Sequence, residues 1–187
     1  EKNRELKRKE KQRAEEAETE RRKHAEAERV AKITPTSISQ KGADIDEEEG
    51  LSKWMSGQEA YADAEEQARI QRTFEANPFI IEETSFAGSA FFEATHMGGK
   101  AILEYNMRHA FFDRLNDLLD GVAELDDEGR DTAEELKVMI DLLVIAYAKA
   151  EGRYSPGTKM TTDELHEDMR LNWGRFLSSY LAQHLDE

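Results

Sequence analysis

Five polar residues that lie close together in the sequence could carry acid–base chemistry: His96, Asn106, Arg108, His109 and Asp113. His109 and Asp113 are four residues apart, so on a helix their side chains would share one face. A carboxylate that orients an imidazole is the arrangement of a general acid–base pair. In the structural alternative, Asn106 caps a helix or closes a strand–helix turn, and His109 packs near the helix start. The spacing leaves both interpretations open, with His109 and Asp113 as the candidate catalytic residues.

Other kinds of catalytic or metal site lack their usual spacing. The chain has no cysteine, which excludes disulfides, thiolate metal sites and a cysteine nucleophile. Its five histidines show neither of the paired-histidine spacings of zinc sites. The acidic cluster from Asp44 to Glu49 lacks the alternating ligands of a calcium loop. Gly98-Gly99-Lys100 matches no glycine-rich phosphate-binding motif. We therefore predict no metal site and no cofactor site in this chain.

A β-hairpin must position the polar cluster. Two runs, Phe91 to Met97 and Lys100 to Asn106, flank Gly98-Gly99, and two glycines suit a type I′ turn because both central residues need positive φ. Such a turn fixes the register, with Met97 opposite Lys100. Four side chains then share one face: Phe92, Ala94, Leu103 and Tyr105.

The other face of the hairpin places Glu93 opposite Glu104. Like charges in a direct cross-strand pair are unfavourable, so this face is predicted to be solvated. The segment from Phe79 to Ser85 is predicted to be a further extended segment, giving a sheet of about three antiparallel strands. So small a sheet cannot close into a barrel and must pack against helices.

Helical patterns surround the hairpin. They predict helices at Gly57–Ala76, Ala110–Val122, Thr132–Glu151 and Thr162–Leu185, the last with a capping box between Thr161 and Glu164. The third of these helices is apolar nearly all round in its middle, which is typical of a helix at the centre of a core. The fold class is therefore α+β, mostly helical, with a small antiparallel hairpin sheet packed against three or four helices.

The N-terminal part of the chain has a different composition. Residues 1–33 are almost wholly Glu, Lys, Arg and Ala, which favours a long charged helix or a coiled-coil arm. Residues 34–56 combine turn formers with acids and are predicted to be a flexible acidic linker. Residues 57–187 would then form a compact α+β C-terminal domain.

Charge and composition restrict the function classes. The 187 residues are 38% hydrophobic and 36% charged, with a net charge of −15. Residues 1–32 hold 12 basic and 9 acidic side chains, a net +3, so the remaining 155 carry −18. Such an acidic body argues against a general nucleic-acid surface. We find no apolar run of the ~20 residues that cross a bilayer and no signal-like N-terminus. We therefore expect a cytoplasmic protein with no membrane partner, and, because the chain does not begin with Met, a fragment.

Several short motifs occur together in an order that is recognisable. They are Phe91-Phe92-Glu93, Gly98-Gly99, Asn106, His109, Phe111, Phe112, Asp141 to Glu151, Met169-Arg170 and Trp173-Gly174. In this order they resemble the C-terminal part of long bacterial and phage ATP-binding proteins of the GHKL superfamily, which includes gyrase, chaperone, histidine-kinase and mismatch-repair ATPases. The resemblance covers roughly Phe79 to Leu185. The chain departs from the family pattern at Ala110, where the family usually has Pro.

The resemblance implies that ATP binding lies in a different part of the polypeptide from this chain. The acid-and-Asn helix motif, the Asp-x-Gly-x-Gly segment and the glycine-rich lid that form the family's ATP site do not occur in this chain. It therefore implies an ATPase domain upstream in the same polypeptide, with ATP and Mg as cofactors of the full-length protein. This chain would be a non-catalytic transducer, dimerisation or partner-binding module of a dimeric machine acting on DNA. The alternatives are a stand-alone acidic protein that binds a basic partner or mimics DNA, and an enzyme using His109.

Overall fold

A computed structural model describes residues 23–58, 61, 63–154, 157 and 159–185. Its helices are α1 (Ala25–Ile33), α2 (Glu47–Ser56), α3 (Ala64–Ala76), α4 (Ala110–Ala123), α5 (Asp127–Glu151) and α6 (Thr162–Leu185). The strands are β1 (Phe79–Thr84), β2 (Phe92–Met97) and β3 (Lys100–Asn106). The fold is the predicted one, α+β and mostly helical, with a small sheet packed against helices.

The predicted hairpin forms with the predicted register. Met97 pairs with Lys100 and Phe92 with Tyr105 in the antiparallel β2–β3 ladder. Gly98 and Gly99 have φ values of 57° and 83°, which are the positive angles that a type I′ turn requires. A residue that carries a side chain is strained at these positive φ values, whereas glycine is not. The turn therefore depends on both glycines.

The direction of β1 differs from the prediction. The strand order is β1-β3-β2, and β1 runs parallel to β3, so the sheet is mixed rather than wholly antiparallel. The connection 85–91 carries the chain across the C-terminal end of β3 to its other side. Asn106 holds this crossing, because its Oδ1 accepts from the Phe86 N–H at 3.4 Å and its Nδ2 donates to the Ala90 carbonyl at 3.1 Å.

Both faces of the sheet are covered. One face, with Leu103 and Tyr105, packs against α1, α4, α5 and α6. The opposite face, with Ile80 and Ile102, packs against α2, Tyr61 and α3. The prediction that this second face is solvated is therefore wrong. The like-charge pair is accommodated because Glu93 lies exposed on the edge strand, whereas Glu104 accepts hydrogen bonds from Trp54 Nε1 at 2.8 Å and Gln58 Nε2 at 2.5 Å.

The segment predicted to be a flexible acidic linker contains α2. Asp46 caps this helix by accepting from the Glu49 N–H at 3.0 Å, and Leu51 is buried against the sheet. The acids of Glu47 to Glu49 occupy the first turn, where carboxylates interact favourably with the helix dipole. Gly57 ends α2 instead of starting the next helix, which begins only at Ala64. The packed unit therefore begins before residue 57.

Helix α5 lies at the centre of the helical layer, as its all-round apolar middle predicts. Leu142, Ile145 and Ala146 are fully buried. Helix α6 packs along it and starts with the predicted capping box, in which Glu164 Oε2 accepts from the Thr161 N–H at 2.8 Å. The charged N-terminal helix ends before Thr34, as predicted, although residues 1–22 of the predicted arm lie outside the described residues.

Candidate functional site

Four ionisable side chains meet between α1, the sheet and α5. They are His24 at the start of α1, Glu83 on β1, Tyr105 on β3 and Asp141 in the middle of α5, and we call them the His24 network. Asp141 is 1% exposed and Tyr105 is 2% exposed, so both polar groups must find partners inside the protein. The network joins four elements, α1, β1, β3 and α5.

The geometry of the network satisfies both oxygens of Asp141. His24 Nδ1 lies 2.7 Å from Asp141 Oδ2, and the Tyr105 hydroxyl donates to Asp141 Oδ1 at 2.9 Å. The second ring nitrogen of His24 lies 3.4 Å from Glu83 Oε1. Lys23 adds a 2.8 Å ion pair to Glu83 at the outer end. The His24 and Tyr105 rings also make an edge contact, with centroids 5.5 Å apart.

The electrostatics of the network favour a charged His24. Burial alone would lower the pKa of His24, but the interactions with Asp141 and Glu83 outweigh it and raise the pKa to about 9. Burial opposes ionisation of Glu83, yet the positive neighbours His24 and Lys23 lower its pKa to about 2. At neutral pH His24 is therefore an imidazolium in an ion pair. It is poorly suited to act as a general base, and the network is better suited to fasten elements together.

A second contact fastens α1 to the outer edge of β1. Glu28 Oε1 accepts from the Ile81 backbone N–H at 2.8 Å, which covers a donor at the open side of the sheet. Burial raises the pKa of Glu28 to about 7. Helix α1 is thus held by an ion pair at its first turn and by a backbone contact one turn later. A movement of α1 would have to break both contacts or carry β1 with it.

Another polar cluster lies at the C-terminal end of α5. Lys149 is 4% exposed and donates to the Ser37 carbonyl, with Ser39 Oγ at 3.4 Å. Burial lowers the pKa of Lys149 to about 8. A serine beside such a lysine has the components of a Ser–Lys hydrolase. Ser39 is 2% exposed, however, and Lys149 is engaged with a carbonyl, so the pair anchors the segment before α2.

The structure assigns His109 a role in starting α4. His109 is the N-cap residue, and its Nδ1 accepts from the Phe111 N–H at 3.1 Å. Asp113 is exposed in the first turn of the same helix. Within the part of the chain that the structure describes, no hydrogen bond or ion pair joins Asp113 to His109. The geometry favours the capping interpretation of His109 over the acid–base pair.

The remaining members of the predicted cluster lie at two ends of the hairpin. Asn106 is buried at the exit of β3, where its Oδ1 also accepts from the Arg108 N–H at 3.2 Å and closes the strand–helix turn. His96 is paired with Ala101, five residues back along β3, which corresponds to about 16 Å along the strand. His96 Nε2 lies 3.8 Å from Glu151 Oε2, and His96 followed by Lys41 lowers the pKa of Glu151. The five residues therefore do not form one site.

Several residues of the motifs on which the resemblance rests form one aromatic surface. Phe91 contacts Phe92 and Phe111 with ring centroids 4.8 and 5.4 Å apart, and lies 6.2 Å from the His109 ring. Tyr147 connects Phe92 to Trp173 through edge contacts of 5.6 and 5.3 Å.

The other motif residues lie outside this aromatic surface. Glu93 is exposed on β2, Gly98 and Gly99 form the turn, Asn106 closes the exit, and Gly174 is exposed on α6 with open space around it. The motif positions therefore combine one surface with several local structural roles.

Comparison of the chain with protein-family models, curated proteins and solved structures finds no match. Among the described residues, no group of three or more His, Asp or Glu side chains is arranged to hold a metal ion. In the same part of the chain, no helix has the length and apolar character needed to cross a membrane.

The sequence interpretation did not identify the His24 network. One signal was available at Asp141, an acid that directly precedes the apolar run from Leu142 to Ala146 on a helix expected at the core. A buried carboxylate needs a partner, but the pattern does not name it. His24 lies in a charged segment, and its local sequence does not distinguish it from the other polar residues there. Its partner is 117 residues away, so only the tertiary fold brings the two together.

Proposed function

We propose that this chain is a non-catalytic coupling module of a larger, GHKL-type ATP-driven protein. The residue motifs described above support the family part of the proposal. In this proposal the ATPase domain lies upstream in the same polypeptide and uses ATP and Mg, and the assembled protein is a cytoplasmic homodimer that acts on DNA. In this proposal, α1 transmits nucleotide-dependent changes of the upstream ATPase domain to the compact α+β body.

The observation that carries the proposal is the attachment of α1. Residues 1–24 precede α1 and are mostly charged, so any upstream domain connects to the body through this helix. The His24 network and the Glu28 contact attach α1 to β1, β3 and α5. Separating His24 from Asp141 would leave two buried charges without compensation, so we expect α1 and the body to move as one unit.

The experiment requires the longer polypeptide that contains this chain. Its upstream sequence should hold an Asp-x-Gly-x-Gly segment, and the purified protein should hydrolyse ATP in the presence of Mg. Asp141→Asn should leave ATP binding unchanged but reduce the dependence of hydrolysis on dimerisation or DNA. Asp131→Asn is the matched control, because Asp131 is an exposed residue on the same helix.

Two results would contradict the proposal. One is an upstream sequence without a nucleotide-binding segment, or a protein that does not bind ATP. The other is an Asp141→Asn protein that is folded and couples hydrolysis to dimerisation or DNA as well as the Asp131→Asn control does. The first result would refute the assignment to the GHKL family. The second would refute only the coupling role of the His24 network.

A further inference from the structure

Strand β2 is an edge strand with part of its backbone unpaired. The Asn106 N–H donates to the Phe91 carbonyl at 2.9 Å, so the groups of Phe91 point towards β3 and those of Phe92 and Ala94 point outwards. Among the described residues, the outward N–H and C=O groups of Phe92 and Ala94 have no hydrogen-bond partner. At the turn end the edge is occupied, because the Gly98 N–H donates to the Gly42 carbonyl at 2.8 Å. The open part of the edge is therefore short and well defined.

An aromatic groove follows this open edge on one face of the sheet. It has a volume of about 550 Å³, and its lining includes Phe92, Ala94, Leu143, Tyr147 and Trp173. Leu143 is 39% exposed, which is unusual for a leucine in the middle of a central helix. The groove therefore has room for a large apolar side chain.

An acidic groove lies on the other face of the same strand. It has a volume of about 680 Å³ and includes Asp44, Asp46, Glu49 and Lys53 on one side and Thr95 and Met97 of β2 on the other. Three carboxylates line this groove together with Lys53 and His96, so acids outnumber bases and the local charge has the same sign as the net charge of −15. Such a groove favours a Lys or Arg side chain.

We propose that β2 binds an extended segment of another protein in which large apolar residues alternate with Lys or Arg. Successive side chains of an added strand point to opposite faces of the sheet, so one set would enter the aromatic groove and the other would lie beside Glu93 and Thr95, at the near end of the acidic groove. Main-chain hydrogen bonds to Phe92 and Ala94 provide affinity, and the two grooves provide the sequence preference. The inference goes beyond the coupling role and does not depend on it.

The test uses a synthetic peptide of about eight residues in which Lys alternates with Val and Phe, a length typical of a strand. Its control is the same peptide with N-methyl groups on the residues that would pair with β2, which removes the backbone donors but keeps charge and side chains. We expect the methylated peptide to bind with a Kd at least about tenfold higher. Amide NMR signals of Phe92 and Ala94 should shift with the unmodified peptide only.

Protein variants test the edge and the acidic groove separately. Ala94→Pro removes an outward N–H, which an edge strand tolerates, and should weaken peptide binding at least about tenfold. Glu49→Gln should weaken it about threefold at low salt, and this difference should disappear as salt screens the charge. Glu48→Gln is the matched control, because Glu48 is exposed on the same turn but does not line the groove. Circular dichroism checks that each variant is folded.

Four results would overturn the inference. They are equal binding of the methylated and unmodified peptides, equal effects of Glu48→Gln and Glu49→Gln, absence of peptide binding at millimolar concentration, and occupation of β2 by a different ligand. The last would appear as dimerisation of the protein that Ala94→Pro abolishes, or as duplex DNA that displaces the peptide. If Ala94→Pro does not fold, the two peptides still decide the question with the unmodified protein.

Discussion

Replacing Asp141 with Asn should destabilise the protein strongly at neutral pH and weakly at high pH. The substitution keeps the shape of the side chain but removes the charge that holds His24 as an imidazolium. Burial then dominates the environment of the ring, and the pKa of His24 should fall. The charged form of His24 stabilises the folded state of the wild-type protein. The variant should lose most of this contribution to the free energy of unfolding.

The magnitude follows from the pKa of His24. Folding raises this pKa from 6.5 to about 9, and one pKa unit corresponds to ~1.4 kcal/mol, so the charged form contributes about 3 kcal/mol to the free energy of unfolding. Because Glu83 remains beside the ring, the variant should lose about 2–3 kcal/mol. For a chain of this size that loss lowers Tm by roughly 5–12 °C.

The sign of the pH dependence is fixed by the direction of the shift. A group whose pKa is raised by folding stabilises the folded state fully below its unfolded pKa, here 6.5. That contribution declines as pH rises and is gone above a pH of about 9. The stability difference between the wild-type protein and Asp141→Asn should therefore be largest near pH 6 and should shrink, or change sign, above pH 9.

Urea unfolding of both proteins across this pH range measures the difference. Burial lowers the pKa of Lys149 to about 8, so its titration changes stability in the opposite direction, but it is common to both proteins and cancels in the difference. Asp131→Asn should behave like the wild-type protein at every pH. A difference between the wild-type protein and Asp141→Asn that stays constant from pH 6 to pH 10 would refute the reasoning, as would an NMR titration of His24 with an ordinary pKa.

Three further predictions concern other parts of the fold. Gly42→Ala should cost at least about 2 kcal/mol in urea unfolding, because φ is +68° and the added Cβ would lie 2.3 Å from a carbonyl oxygen of β2. Gly174→Ala, in open space on α6, should instead stabilise the protein by about 0.5–1 kcal/mol, and equal effects of the two changes would contradict the glycine argument. His109→Ala should lower stability by about 1 kcal/mol through loss of the α4 cap, and His109→Asn should restore it, whereas an enzymatic His109 would not be rescued by Asn in an activity assay. Lys149→Met should cost about 1–3 kcal/mol near neutral pH, because it removes the charged donor to the Ser37 carbonyl, and a neutral effect in thermal unfolding would show that water replaces the lysine.

Local chemistry was sufficient to predict the hairpin. Two glycines in succession select the turn, the turn selects the register, and Met97 opposite Lys100 follows from these two facts. The same holds for the start of α6, whose capping box depends on Thr161 and Glu164 alone. These features need no information from distant parts of the chain.

The direction of β1 and the covering of the second sheet face could not be predicted in the same way. A six-residue apolar and acidic strand is compatible with either direction, and the choice is made by the crossing connection that Asn106 holds. The sequence predicts that Glu104 needs solvent. In the fold, Trp54 and Gln58, which are 50 and 46 residues away, donate hydrogen bonds to it instead.

Helix α2 was missed for a different reason. Asp46 followed by three glutamates is a helix-start signal as well as an acidic cluster, and the turn formers before it obscured this. The His24 network is the extreme case of tertiary control, because neither His24 nor Asp141 has a local pattern that names the other.

The most direct measurement of the coupling role is hydrogen exchange in the longer polypeptide with and without an ATP analogue and Mg. The proposal predicts that the nucleotide changes exchange in α1 and in β1 together, and that Asp141→Asn confines the change to α1 while ATP binding is retained. Exchange in β1 that does not respond to nucleotide in the wild-type protein, or that responds equally in Asp141→Asn, would contradict the proposal.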